Sequence, residues 1–228
     1  MSPIIDNIVY QHAENACSLW WQWFMARHDP VYDFADLQQL ESRINANLDG
    51  LLIAGDAALP FLHELLDAND EGSVFAMSIQ ALRKGDNTLF DKLLETLKTQ
   101  QSAMDELDAA LAWVHERHLQ GMVAGLLDSS DAHRQLSGLS ACLSHQRNPG
   151  NYFRQCLTHE NSQIRTQALQ LAAEQGDKRL LPYLSDATPD DSQEQYARAR
   201  ALLFLGKQAD ARSQMEELAL GNSPVASA

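Results

Sequence analysis

The run IVYQHAENACSLWWQWF, residues 8–24, brings a histidine, a cysteine, a glutamate and three tryptophans within seventeen positions. An imidazole that takes a proton while a thiol attacks is the minimum for nucleophilic catalysis. Helical spacing argues against that chemistry. Cys17 follows His12 by five residues, about 140° around a helix, and Glu14 also leaves the stripe that carries His12. His12 falls one turn from Val9 and Ala16, where a ring packs while one nitrogen bonds a neighbouring helix. The same stripe takes Trp20 and Trp23 into a core, whereas Trp21 faces another way. A tryptophan placed so beside an apolar seam either anchors a partner or covers the second hairpin.

Other constellations fall short of a reactive site. VHERHLQ sets His115 and His118 three apart, but the zincin pattern needs histidines four apart, and no third ligand follows. Asp128, Asp131 and His133 occupy a repeat turn, where aspartate is a helix cap, and DATPDD at 186–191 reads as loop and cap in the same way. Phosphate-binding glycine loops and the nucleophile elbow are missing. A helical-repeat DNA glycosylase would need a basic groove around its tryptophans, yet the chain has five lysines and is acidic where the tryptophans lie. No catalytic residue, metal ligand or cofactor is assigned.

The elements that must position these residues are helices. Val and Ile are scarce, alternating patterns are absent, and Ala, Leu, Gln, Glu and Asp dominate. Ile5, Val9, His12, Ala16, Leu19, Trp20 and Trp23 share one stripe of a helix that runs to about Arg27 and stops at Asp29-Pro30. Asp33 is the expected N-cap of the next, with Phe34, Leu37, Leu40, Ile44, Leu48 and Leu51 inward, and the two pair as an antiparallel hairpin. A short helix follows, with Asp56 near its start and Pro60 in its first turn.

Beyond it the chain repeats. LLDANDEGSVFAMSIQALRKGD (65–86) aligns without a gap on CLTHENSQIRTQALQLAAEQGD (156–177), 91 positions on. LLDSSDAHRQLSGLSACLSHQ (126–146) fits the latter at an offset of 30 or 31, with Arg134 falling on Arg165. The unit is therefore about 30 residues: a helix ending in Leu-Leu-Asp, a polar turn, a second helix rich in small residues and a Gly-Asp exit. Helical pairs of this size cannot bury their apolar faces alone, so they stack. The expected fold is all-α, a right-handed solenoid of HEAT-like helical pairs. It comprises an N-terminal helical hairpin cap over 1–55, repeats over 56–220 and a disordered tail over 221–228.

The formal charge is −14, and its distribution is uneven. Residues 1–120 carry 19 acidic and 7 basic side chains, against 12 and 10 in the remainder. No Lys or Arg stands between Arg43 and Arg83. Such a field repels nucleic-acid phosphates and favours a basic partner, and Asp67, Asp70, Glu71, Asp105, Glu106 and Asp108, with Trp21, are the expected partner-binding residues. The longest apolar runs are too short for a membrane helix, the start lacks a basic leader, and three cysteines in no paired spacing read as free thiols. A cytoplasmic protein is expected.

YQHAENACSLW (10–20) and YDFADLQQLESRINANLDGLLIAGDAALP (32–60) resemble an uncharacterised family of bacterial proteins. Gln11, His12, Ala13, Glu14 and Trp20 match its first helix. Its second segment is matched by Tyr32, Asp33, Asp36, Leu37, Arg43, Leu48, Asp49, Gly50, Ile53, Ala54 and Gly55. The resemblance implies degenerate HEAT-like repeats behind this start and a place among type VI secretion genes, and it brings no catalytic residues. Within the matched segment, Arg43 is expected to pair with a carboxylate and Gly50 to release the chain from the second helix. The resulting expectation is a non-catalytic solenoid that binds a type VI secretion effector, or its toxin domain, with a basic surface, as cognate immunity protein or as effector chaperone or adaptor. A HEAT-like solenoid enzyme or a small-ligand-binding protein is the alternative.

Overall fold

The computed structural model describes residues 5–97, 101–185 and 189–221, and every regular element among them is helical. None of those helices is long and apolar enough to cross a membrane. The chain divides into two compact units, Met1–Leu119 and Gln120–Ala228. Most of the expected tail, from 222 on, lies outside the described residues.

In the first unit α1 (Asp6–Ala26) and α2 (Phe34–Ala54) form an antiparallel hairpin. His12, early in α1, meets Asn47 and Gly50 late in α2, while Trp23, late in α1, meets Glu41 early in α2. Asp33 caps α2 reciprocally: its carboxylate accepts from the Asp36 amide at 3.0 Å, and that of Asp36 accepts from the Asp33 amide at 3.1 Å. The packed stripe of α1 includes Val9, Ala13, Ala16, Cys17 and Trp20, and that of α2 is Leu40, Ile44, Leu48 and Leu51. Two expected members are solvent-exposed, Ile5 at 56% and Phe34 at 80%. Both stand where a helix begins, so their 3–4 spacing continues past the turns that pack.

Two further expectations about the hairpin are overturned. Gly50 does not release the chain but sits inside α2, which runs on to Ala54. The space its side chain would fill holds the His12 ring, whose Cδ2 lies 2.6 Å from where a Cβ would stand. His12 Nδ1 is 3.0 Å from Asn47 Oδ1, so this histidine is a packed, bonded member of the hairpin. Arg43 is exposed, and Arg83 takes the carboxylate instead, reaching Asp49 at 2.7 Å. Arginine at 83 has the better position because it comes from a buried helix whose last turn needs a neutralising anchor.

A 3-10 turn, Gly55–Ala58, leads into α3 (Leu59–Asp67), followed by α4 (Ser73–Lys84), α5 (Asn87–Leu97), α6 (Gln101–Trp113) and a 3-10 turn at Glu116–Leu119. α4 is buried over ten consecutive residues, Ser73–Leu82, and packs against α1, α2, α3, α5 and α6. Aromatic rings bind it to its neighbours. Phe75 of α4 stacks on Trp20 (centroids 4.9 Å apart) and meets Trp113 edge-on at 5.4 Å, and Trp113 meets Trp23 edge-on at 5.1 Å.

The second unit alternates short and long helices: α7 (Met122–Leu127), α8 (Ala132–Ser144), α9 (Tyr152–Leu157), α10 (Ser162–Gln175), α11 (Leu181–Ser185) and α12 (Ser192–Phe204), with α13 (Gln208–Leu220) last. The long helices α8, α10 and α12 pack in that order. Their N-caps are Asp131, Asn161 and Asp191, each thirty residues on, and each accepts backbone N–H bonds in its helix's first turn. The chain leaves them through Gln146, Gly176 and Gly206, again thirty apart and all left-handed. Ala168, Ala172 and Ala173 of α10, with Ala197 and Ala201 of α12, belong to one buried cluster with Leu139, Leu169 and Leu202.

Arg165 ties one pair to the next. Its guanidinium is forked onto Glu194 at 2.6 and 2.7 Å, reaches Asp190 at 2.6 Å, and donates to the carbonyls of His159 and Glu160. Arg165 is 8% exposed and Glu194 1%, so the pair is shielded from water.

Gly50→Ala should destabilise the first unit by about 1–2 kcal/mol through overlap with the imidazole, against the usual helix gain of about 1 kcal/mol; in a His12→Ala background the same change should stabilise. Tryptophan fluorescence during urea unfolding reads both. Arg165→Met alone leaves Glu194 buried and unpaired, a loss of about 3–5 kcal/mol, and Arg165→Met with Glu194→Leu should recover most of it. All four tryptophans precede residue 120, so far-UV circular dichroism is the measurement for this second unit.

Candidate functional site

The site is organised by the turn between α3 and α4. Gly72 adopts φ +83°, and a Cβ there would stand 2.6 Å from the Cys17 carbonyl oxygen of α1. Only glycine fits, so α4 begins without a side-chain cap of its own. Glu106, on α6, supplies one from outside. Its Oε2 accepts from the Phe75 N–H at 3.2 Å, and the amides of Gly72 and Val74 stand close enough to its carboxylate to favour the charged form. Burial pushes the Glu106 carboxyl up from its ordinary value; the three amides oppose that, and Glu71 adds to it.

Beside this cap lies a cleft of about 660 Å³. Its carboxylates are Asp67 at the end of α3, Asp70 and Glu71 in the following turn, and Asp105 and Glu106 on α6. Trp20, Trp21 and Phe24 of α1 form an aromatic wall, in which Trp21 and Phe24 stack at 5.5 Å and 11°. No Lys, Arg or His is among the described residues that line it. Asp67, Asp70 and Glu71 are exposed, and among the described residues their side chains enter no hydrogen bond or ion pair. Six of the seven side chains singled out in the sequence line this one cleft. Asp108, half-buried on α6, is not among its lining residues.

Phe24 was missed in the sequence, although its spacing from Trp20 and Trp21, four and three residues, already placed it on their face. The N-terminus of α4, Ser73 and Val74, also lines the cleft, and only tertiary packing brings it there. Trp20 is 1% exposed, and among the described residues its indole N–H has no hydrogen-bond partner. The half-buried indoles of Trp23 and Trp113 differ. In a second cavity of about 390 Å³, Trp23 donates to Glu41 at 3.1 Å and Trp113 donates to Asn45 at 3.0 Å.

The remaining reactive side chains are engaged structurally. His115 Nδ1 accepts from the Arg117 amide and His118 Nε2 from the Arg117 guanidinium; burial and then the nearby cations hold His118 below its ordinary value. Asp131 caps α8. The three thiols are buried, which pushes Cys142 and Cys156 up to about 11 and Cys17 further, so none is a ready nucleophile at neutral pH. Among the described residues no three His, Cys, Asp or Glu side chains are grouped so as to hold a metal ion. Comparison with family models, curated proteins and solved structures finds no match for the chain.

Glu106→Ala removes the cap of α4 and should cost about 1–2 kcal/mol, whereas Glu106→Gln keeps an acceptor oxygen and should cost less. Because the folded-state value of Glu106 is raised, its contribution to stability is present at low pH and is lost as pH rises from the unfolded value through the folded one. The stability of the native protein relative to Glu106→Gln should therefore increase as pH is lowered from 7 towards ~4.3, read by urea unfolding at each pH.

Proposed function

We propose that the protein is a non-catalytic binding module of the cytoplasm, built as a right-handed solenoid of HEAT-like helical pairs, whose partner is another protein with a basic surface. The cleft of the first unit carries this reading: five carboxylates and an aromatic wall, with no basic side chain among its described lining residues. Its exposed aspartates attract a cationic surface over long range, and Trp21, 38% exposed, offers an apolar anchor beside them. The resemblance of residues 10–60 supplies the partner's class, a type VI secretion effector or its toxin domain, held as cognate immunity protein or as chaperone before loading.

A solenoid enzyme or a small-ligand receptor is the second reading, favoured by the raised carboxyl of Glu106 within the cleft. That carboxylate already serves the N-terminus of α4, which leaves it a cap in place of an acid or base.

Titration calorimetry with the toxin domain of the effector encoded beside the gene tests the proposal. Asp67→Lys with Asp70→Lys should weaken binding at least about tenfold at low salt and much less at ~1 M salt, where the screening length falls to ~3 Å. Undiminished affinity in the double variant would remove the electrostatic interface. Protection of cells from the isolated toxin domain marks an immunity protein; stabilisation of the whole effector with the isolated toxin still lethal marks a chaperone.

A further inference from the structure

We infer that the acidic cleft is a receptor for guanidinium, and that its occupant is an arginine side chain on an extended segment of the partner polypeptide. This rests on the reading of the protein as a protein-binding module and adds the chemistry that the cleft selects.

Among the described residues that line the cleft, the charge is of one sign. Five carboxylates line it, and no compensating base stands among the described lining residues. An inorganic cation is poorly served, because no three of the described carboxylate, thiol or imidazole groups converge on one point. An organic cation matches the second feature, the aromatic wall. Trp21 is held in place from behind: it stacks on Phe24, whose ring lies 5.4 Å from that of Trp20, and Trp20 in turn stacks on Phe75 of the buried α4. A ring so fixed offers its face with little ordering cost, and cations favour such faces, arginine most often among side chains.

The chain already demonstrates the pairing. Arg27 lies with Cζ 4.3 Å from the Phe24 centroid and 5.6 Å from that of Trp23, so one guanidinium of the protein itself rests on this aromatic run outside the cleft. Arginine also surpasses lysine here on chemistry. Its planar fork meets carboxylates with paired hydrogen bonds while its face stacks, and it is the more weakly hydrated cation.

A second observation separates a peptide from a simple polyamine. Trp20 is part of the cleft wall, almost completely buried, and its indole N–H has no hydrogen-bond partner among the described residues. A buried donor without a partner is a standing cost. The Trp20 Nε1 has almost no exposed surface of its own, so an occupant bonds it only through a small shift of the wall. A main-chain carbonyl can accept from it there, and a polyamine, which carries only donors when protonated, cannot.

The test is a titration of the full chain, labelled with nitrogen-15, with an acetylated and amidated Gly-Ser-Arg-Gly-Ser peptide, following the four indole N–H signals by NMR. The signals of Trp20 and Trp21 should move while those of Trp23 and Trp113, bonded to Glu41 and Asn45, stay in place. Citrulline in place of arginine should weaken binding at least about tenfold, and lysine severalfold. Asp67→Asn with Asp70→Asn should do so about tenfold; both side chains are exposed, so the fold is preserved where Trp21→Ala disturbs the stack. Failure of the peptide to bind, equal binding of the citrulline peptide, or equal binding of free spermidine at the same two indoles would each overturn the inference. Titration of the effector toxin domain on the same samples separates the two claims. If the toxin domain binds and the peptide does not, the guanidinium receptor is lost and the binding function stands. If the peptide binds and the toxin domain does not, the guanidinium receptor stands and the toxin domain is lost as its partner.

Discussion

The first unit depends on one constraint: α4 is buried over ten consecutive residues, so the polar groups at its two ends are answered by neighbouring helices. Inside it, Ser78 Oγ and Gln80 Oε1 have no hydrogen-bond partner among the described residues. Ten consecutive residues are out of water, including Ser73, Ser78 and Gln80. The Gln80 amide donates to the Leu48 carbonyl of α2 at 3.3 Å. At the C-terminus, Arg83 and Lys84 bond Asp49 and Asp56 of the preceding elements, which places cations where the helix dipole favours them. At the N-terminus the close approach of Cys17 demands glycine, and Glu106 takes over the role that glycine cannot fill. Such partners offset much of the cost of taking the polar ends of a central helix out of water.

The acidic cleft is a consequence of that arrangement. The same turn that delivers the chain into α4 carries Asp70 and Glu71, and the same helix that caps it carries Asp105. Carboxylates therefore gather at the α4 N-terminus, where the positive end of the helix dipole moderates their mutual repulsion. The aromatic run from Trp21 through Phe24, Trp20 and Phe75 connects the cleft wall to the core. Stability and binding chemistry share these residues, with Glu106 turned to the helix and Asp67, Asp70 and Glu71 turned to solvent.

In the second unit the governing rule is periodic. Caps and left-handed exits recur at thirty residues, small side chains bring α10 and α12 together, and Arg165 closes the gap between the loop before α10 and the start of α12. That guanidinium has five hydrogen bonds in a nearly dry setting. Its register specificity comes from needing all its acceptors at once, which a shifted helix could not supply.

By itself the sequence determined the helical class, the hairpin of the first two helices, the cap at Asp33, the thirty-residue period and the concentration of negative charge in the first half. Each of these is local: spacing on one helix, a capping residue, a repeated turn, a count of charges. The packed role of His12 was also legible, because its stripe was apolar and Cys17 pointed elsewhere. Tertiary structure decided what depends on residues distant in the chain. Spacing could not say that the imidazole of residue 12 fills the gap at Gly50, that Arg83 and not Arg43 takes Asp49, or that Ile5 and Phe34 stand beyond the packed turns. Nor could it separate Glu106, a cap committed to α4, from Asp67 and Asp70, which face solvent, since all three read alike as acidic residues near helix ends. Charge is additive along a chain and can be counted. Whether a given charge is used inside the fold or left for a partner depends on which helix end it meets in space.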